Sequence, residues 1–290
     1  MFSMERILTP VDFSERSVGA ARYAEALARH FGAESTLLHV LPPPHYEFSS
    51  MEVGGALVNE LFEARTAQVK KELETFLAGE CPGWNPRRVL LEGDPAREIV
   101  EYARANNVDL IVMPTHGYGP FRRFILGSVT AKILHDADCP VWTGVHLGEA
   151  PGQSRIEFKT VMVAVDLGLQ SEKVLSWAAA VADSYGARLI LVHSLHCAEG
   201  PSGEPQDQDW HHRLTSQARA EIDKLQQTVS SAAEVMIENG DAPEAVCCAA
   251  RQVQADLLVI GRGSAAGVFG RLRANAYSII RQSPCPVVSV

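Results

Sequence analysis

The chain repeats itself at the scale of a domain. RILTPVDFSERSVGAARYAEALARHFGAESTLLHV (Arg6–Val40) returns as TVMVAVDLGLQSEKVLSWAAAVADSYGARLILVHS (Thr160–Ser194). Asp12 then faces Asp166 and His39 faces His193, both at an offset of 154 residues. Further along, EGDPAREIVEYARANNVDLIVM (Glu92–Met113) returns as NGDAPEAVCCAARQVQADLLVI (Asn239–Ile260), with Asp94 facing Asp241 and Asp109 facing Asp256 at an offset of 147. DCPVWTGV (Asp138–Val145) and PCPVVSV (Pro284–Val290) close the two copies. The offset falls by seven, so the loop and helix between the matched stretches are expected to be shorter in the second copy. A period this long belongs to a duplicated domain rather than to a solenoid. The 290 residues divide into domains at 1–149 and 157–290, each large enough for its own core. The polar stretch EAPGQSRIE (Glu149–Glu157) is the natural linker.

Within a copy, short apolar runs alternate with helical patterns. Ile7–Val11, Ser35–Val40, Arg88–Leu91, Leu110–Met113 and Val141–Val145 read as strands. Ser14–His30, Glu52–Leu77, Ala96–Asn106 and Ser128–Asp136 read as helices. Ser14 fits an N-cap, Asp94-Pro95 a helix start, and Gly32 and Gly186 helix ends. Strands apolar on both faces and alternating with helices predict a parallel sheet covered on both sides, a doubly wound α/β fold in each copy. Such sheets take ligands at the carboxyl ends of their strands, where the strand order reverses. Two long connections, Pro42–Gly55 and Ala198–Asp209, follow the second strand of each copy; both are expected to be mobile, or to order only over a ligand or a partner.

Bulk properties narrow the function classes. The formal net charge of −9 speaks against a general nucleic-acid binder or an anionic membrane as partner. MFSMERILTPVD lacks a basic stretch followed by an apolar one, so no signal peptide is read. No apolar run reaches the roughly 18 residues of a membrane span, and a cytoplasmic location is expected. The six cysteines form no C-x-x-C pair and are expected to be free thiols.

The chemistry-bearing segment is MPTHGYGPFRRFILGSVT (Met113–Thr130). It runs from the end of the fourth strand into a helix, and Gly127-Ser128-Val129-Thr130 forms the helix start. A helix N-terminus offers unpaired N–H groups and a positive dipole end, which suits an anion. Glycines allow close backbone approach, Ser128 and Thr130 bring hydroxyls, and Arg122 and Arg123 bring charge. The same pattern also describes a plain structural turn leading into a helix. Asp12, between strand and helix, reads equally as a ligand contact or a turn former. In the second copy the corresponding loop, GRGSAAGVFGRLRANA (Gly261–Ala276), sets Arg273-Ala274 or Ala274-Asn275 against Gly-Ser, which predicts a weak or absent anion site there. His39 and His193 read as hydrogen-bonded core residues, and His211-His212 is no zinc site without a third ligand. Neither G-x-S-x-G nor GxxxxGK[ST] occurs, and no nucleophilic triad can be assembled.

Gly117, the nine residues Tyr118–Leu126, and Gly127-Ser128 resemble the G-x-x-G, nine-residue, G-[ST] signature of the universal stress protein family, with Pro114 in place of its first glycine. PVDFSE (Pro10–Glu15), LLHV (Leu37–Val40) and both Cys-Pro-Val strand starts fit the same family. The resemblance covers both halves. It implies tandem five-stranded parallel-sheet domains of Rossmann-like, adenine-nucleotide-α-hydrolase-like type, and dimerisation through the last strand. Within one chain that would be a pseudo-dimer through Val141–Val145 and Val287–Val290, with a homodimer beyond it. It also implies an adenine nucleotide, ATP alone or with Mg²⁺, in the first domain. Carried over residue by residue, Pro10, Val11 and Asp12 would meet the ribose and adenine, and Val40 the adenine through its backbone. Met113, His116 and Gly117 would line the phosphate path, and Gly127, Ser128, Val129 and Thr130 would hold the phosphates. Proline has no N–H, so Pro114 removes one contact if the family's glycine donates there. The function implied is nucleotide-dependent stress response without rapid turnover. A slow ATPase and a nucleotide-free scaffold are the alternatives.

Overall fold

A run of β-branched and leucine side chains that is apolar on both faces is stable only when covered on both sides. The strands of this chain meet that condition. Leu8, Leu37, Leu38, Leu110, Ile111, Val112, Val141 and Trp142 are fully buried. The structure, a computed structural model, describes residues 2–43, 55–81, 83–115, 126–144, 156–195, 205–262 and 271–290. It divides into two compact units, Ser3–Ile156 and Glu157–Val290.

The first unit runs β1 (Arg6–Pro10), α1 (Glu15–Phe31), β2 (Glu34–Leu41), α2 (Gly55–Thr75), β3 (Arg87–Glu92), α3 (Pro95–Ala105), β4 (Leu110–Val112), α4 (Ser128–Asp136) and β5 (Val141–Thr143). Its strands lie in the order β3-β2-β1-β4-β5, every pair parallel. The order reverses between β1 and β4, so the switch point lies where those two neighbours end.

The second unit runs β6 (Thr160–Ala164), α5 (Ser171–Tyr185), β7 (Arg188–Leu195), α6 (Pro205–Val229), β8 (Glu234–Asn239), α7 (Ala242–Gln252), β9 (Leu257–Ile260), α8 (Arg271–Gln282) and β10 (Val287–Ser289). Its order is β8-β7-β6-β9-β10, again all parallel.

The copies agree in register as well as in order. Leu8 pairs with Thr36 as Met162 pairs with Ile190. Ile7 pairs with Leu110 as Val161 pairs with Leu257. Leu37 pairs with Arg88 as Leu191 pairs with Val235. The seven-residue shortfall therefore falls between β2 and β3 of the first copy and β7 and β8 of the second. It does not come out of the helix: α2 has 21 residues and α6 has 25. The expected shortening of both loop and helix is corrected to a shortening of the connections alone.

Backbone geometry is duplicated too. Phe13 (φ 64°) and Leu167 (φ 57°), directly after Asp12 and Asp166, are both left-handed. A side chain held there costs about 1–3 kcal/mol and persists where the surroundings enforce it. Ser14 caps α1, its side chain accepting from the Ser17 N–H, and Asp94 caps α3 ahead of Pro95. Gly32 and Gly186 end α1 and α5 in left-handed conformation, as the sequence implies. β1 and β4 each stop one residue short of the predicted Val11 and Met113. Among the described residues, no helix is long and apolar enough to cross a membrane, and Cys81, Cys139, Cys247, Cys248 and Cys285 are in no disulfide.

Candidate functional site

β1 delivers Pro10, Val11 and Asp12 to the switch point of the first unit. Val11 is buried, and its N–H donates to the Leu38 carbonyl at 2.9 Å, holding the chain on β2 past the end of the strand. Asp12, half-buried, is locked into the turn that follows. Its Oδ1 accepts from the Ser14 N–H (3.1 Å), from the Ser14 hydroxyl (2.6 Å) and from the Ser17 hydroxyl. The Asp12 N–H donates to Ser17 Oγ at 3.0 Å. One carboxylate oxygen thus builds the turn, while Oδ2 accepts no hydrogen bond among the described residues.

Val40 is buried near the end of β2. One residue earlier, His39 donates from Nδ1 to the Val11 carbonyl at 2.7 Å and stacks on Phe13, with ring centroids 4.6 Å apart. Burial pushes the His39 pKa below its ordinary 6.5; the Val11 carbonyl and Asp12 pull it back only in part. A neutral ring is the result, Nδ1 carrying the proton. His193 repeats the bond to the Val165 carbonyl at 2.8 Å. Both histidines are half-buried and hydrogen-bonded across adjoining strands, in keeping with the structural role read for them.

The other wall comes from β4. Met113 is 5% exposed, and its N–H donates to the Trp142 carbonyl at 3.0 Å. The chain leaves β4 through Pro114 and Thr115 and comes back at Gly127. The two ends are pinned together: the Gly127 N–H donates to the Thr115 carbonyl at 2.9 Å, and the Thr130 hydroxyl donates to the Pro114 carbonyl at 3.2 Å. Pro114 is used here through its carbonyl, which proline keeps. Thr130 is 3% exposed, so its hydroxyl belongs to this clamp. His116, Gly117, Arg122 and Arg123 lie outside the described residues.

α4 starts as the sequence implies. Gly127 is its N-cap, in extended conformation and without a side-chain cap, and no acidic residue stands in the first turn. The first intrahelical bond runs from the Ala131 N–H to the Gly127 carbonyl at 2.8 Å. The N–H groups of Ser128, Val129 and Thr130 therefore have no carbonyl one turn back to bond to. α1 and α3 have their first turns closed by Ser14 and Asp94, whereas α4 presents its donors and its positive dipole end without such a cap.

Sequence reasoning missed Ser17, Thr115 and Phe13 at this site. Ser17 had a signal: Asp-x4-Ser recurs as Asp166 and Ser171, at the same offset of 154. Ser171 does the same work there, its hydroxyl donating to Asp166 Oδ1 at 3.1 Å beside the Gly168 N–H at 2.9 Å. Thr115 acts through its backbone and carries no side-chain signal.

The second unit has its own cavity at the ends of β6, β7 and β9, about 430 Å³ in volume. Val165, Val174, Val192, Val246, Ile260 and Ile279 are among its apolar lining, and Asp166, His193 and Asn275 bring polar groups. α8 begins at Arg271. Counting back from Cys139 and Cys285, Ser128 corresponds to Ala274, so this helix starts nearly a turn earlier than α4. Both Gly-Ser equivalents considered from sequence fall inside it. Thr130 corresponds to Ala276, which has no hydroxyl for the clamp.

Two doubly wound parallel sheets in tandem, each with an aspartate turn at its switch point, define a duplicated Rossmann-like α/β protein. The universal stress protein family profile matches residues 4–143 and 157–290. Two universal stress proteins of Methanocaldococcus jannaschii are similar in sequence. MJ0531 is 34% identical over 137 residues, 47% of this chain and 79% of its own. MJ0577 is 30% identical over 149 residues, 47% of this chain and 92% of its own. A solved universal stress protein from Archaeoglobus fulgidus shares the fold over 99% of this chain and 96% of its own, with a TM-score of 0.67 at 21% identity. The chain belongs to the universal stress protein family and carries the family's domain twice.

Proposed function

We propose that the first unit binds an adenine nucleotide, ATP in the first instance, and that the chain is a cytoplasmic stress-response protein whose bound nucleotide biases its conformation or assembly. The observation that carries this reading is the start of α4. Three N–H groups without intrahelical partners sit at the switch point, behind a glycine N-cap and with no acidic side chain in the first turn. β1 and β4 are hydrogen-bonded neighbours, so Asp12 and this helix start are fed from adjoining strand ends. Oδ2 of Asp12 suits a ribose hydroxyl donor. Buried Val11 and Val40 suit the base, and Met113 beside the α4 N–H groups suits the phosphate path. Any Mg²⁺ would arrive with the phosphates. Homodimerisation belongs to the same proposal and is read by mass in solution.

Nucleotide should be released when the purified chain is denatured, and ATP–Mg²⁺ should raise its melting temperature. Gly127→Arg, which places a side chain at the N-cap, should abolish the shift. Absence of both signals in the unaltered chain would leave the nucleotide-free scaffold. Steady phosphate release lost with Asp12→Ala would favour the slow ATPase.

A further inference from the structure

A cavity of about 950 Å³ opens in the first unit at the amino ends of β1, β2 and β3. The strands run parallel and β1 has 5 residues, so the cavity lies ~16 Å from the Asp12 turn, at the far end of the sheet. We infer that it is a site for an uncharged, polyhydroxylated ligand, a short saccharide, bound independently of any nucleotide. Its volume lies toward the upper end of the roughly 300–1,000 Å³ of sites that enclose small molecules.

The lining brings donors and acceptors together. Arg6, Arg29 and Arg87 are its cations, and Glu25 and Glu34 its anions. The C-caps of α1 and α3, Gly32 and Asn106, also line it and add the negative ends of two helix dipoles. With charge so close to balance, neither an anion nor a cation is preferred. A hydroxyl, which both donates and accepts, suits guanidinium and carboxylate alike. Arg29 is paired with Glu25. Arg87 and Glu34 are in no ion pair among the described residues, although their counterparts Glu234 and Arg188, with the signs exchanged, approach to 3.9 Å. Trp84 and Tyr102 are the aromatic residues of the lining, and an aromatic ring suits the apolar C–H face of a sugar.

The second copy shows that the fold does not require this polar set. Glu25, Ser35, Thr36 and Tyr102 correspond to Ala179, Leu189, Ile190 and Ala249, yet strand register and the left-handed helix end at Gly186 are the same. Ser35 Oγ is buried without a hydrogen-bond partner among the described residues, a cost to stability that Leu189 avoids. Polarity that the fold does not use is left for a ligand.

Calorimetric titration of the full chain with maltotriose, cellotriose and mannotriose, and with trigalacturonate as a charged counterpart, tests this. At least one neutral trisaccharide should bind, and more tightly than trigalacturonate. Arg87→Ala should weaken that binding at least ~ten-fold, because a hydrogen bond to a charged group is lost. Thr36→Val keeps the shape of the side chain on its strand and removes only the hydroxyl; it should weaken binding about five-fold. Neither change should alter the response to ATP–Mg²⁺. The inference is overturned if none of the three neutral sugars binds, if trigalacturonate binds more tightly than all of them, or if binding survives both substitutions in folded protein. An ATP response without saccharide binding would sink this inference alone. Saccharide binding without an ATP response would sink the nucleotide proposal alone.

Discussion

Asp12 has two jobs on two oxygens. Oδ1 organises Ser14 and Ser17 at the head of α1, and Oδ2 is available to a ligand donor. Substitution can separate them. Asp12→Ala removes both and should cost about 1–3 kcal/mol of stability, because the serine hydroxyls lose their acceptor. Asp12→Asn keeps an acceptor for the turn, so its denaturation midpoint should stay near that of the unaltered chain while ATP affinity falls. Equal stability losses in the two variants would contradict this division. His39 makes a pH prediction. Its folded pKa lies below the ordinary 6.5 because of burial, so the unfolded chain takes up the proton first. The stability it contributes is complete above about pH 6.5 and is lost as the pH falls toward the lowered folded value. The melting temperature should decline on acidification through that window, and His39→Gln should flatten the decline. At this scale the sequence exposes what side chains announce. Asp12, Ser14 and His39 stand out because they repeat or cap. Thr115 and the carbonyl of Pro114 act through the backbone, which residue identity does not encode. Phe13 hides because nothing in a phenylalanine signals a left-handed turn.

Among helices, the informative contrast is between α4 and α8. In the first copy Gly-Ser marks the start at the right residue, and the Thr130 hydroxyl ties the helix back to Pro114. Thr130→Val should cost about 1–2 kcal/mol, since it leaves a buried carbonyl without its donor, and should weaken ATP binding by loosening the stem of the loop. Denaturant midpoints and ATP titration of the variant check this; an unchanged midpoint would show that the clamp does not hold the loop. In the second copy no Gly-Ser pair stops the helical pattern, and α8 runs back to Arg271. The residues aligned with Gly-Ser, read from sequence as part of a loop, lie within α8. The strands were easier. Their apolar runs are long enough to fix identity, and their bounds moved by one or two residues at the ends, β5 stopping at Thr143, where hydrogen bonding to the neighbouring strand decides.

For the molecule as a whole, the duplication sets everything else. The two copies keep strand order, register and left-handed positions, so the core demands the same of both sequences. Among the described residues the copies differ in helix lengths, in the connections and in where the last helix starts, close to the strand ends where function resides in such folds. That division explains how much was legible. The fold follows from periodicity that both copies share, whereas the sites differ by a few backbone choices. One ATP per chain is expected, because the first copy starts α4 at a glycine N-cap beside its switch point whereas α8 begins nearly a turn earlier. Calorimetric titration of the full chain with ATP–Mg²⁺ measures that directly. The stoichiometry should be one, and the response should be abolished by Gly127→Arg. A stoichiometry of two, or an ATP response that survives Gly127→Arg, would contradict it.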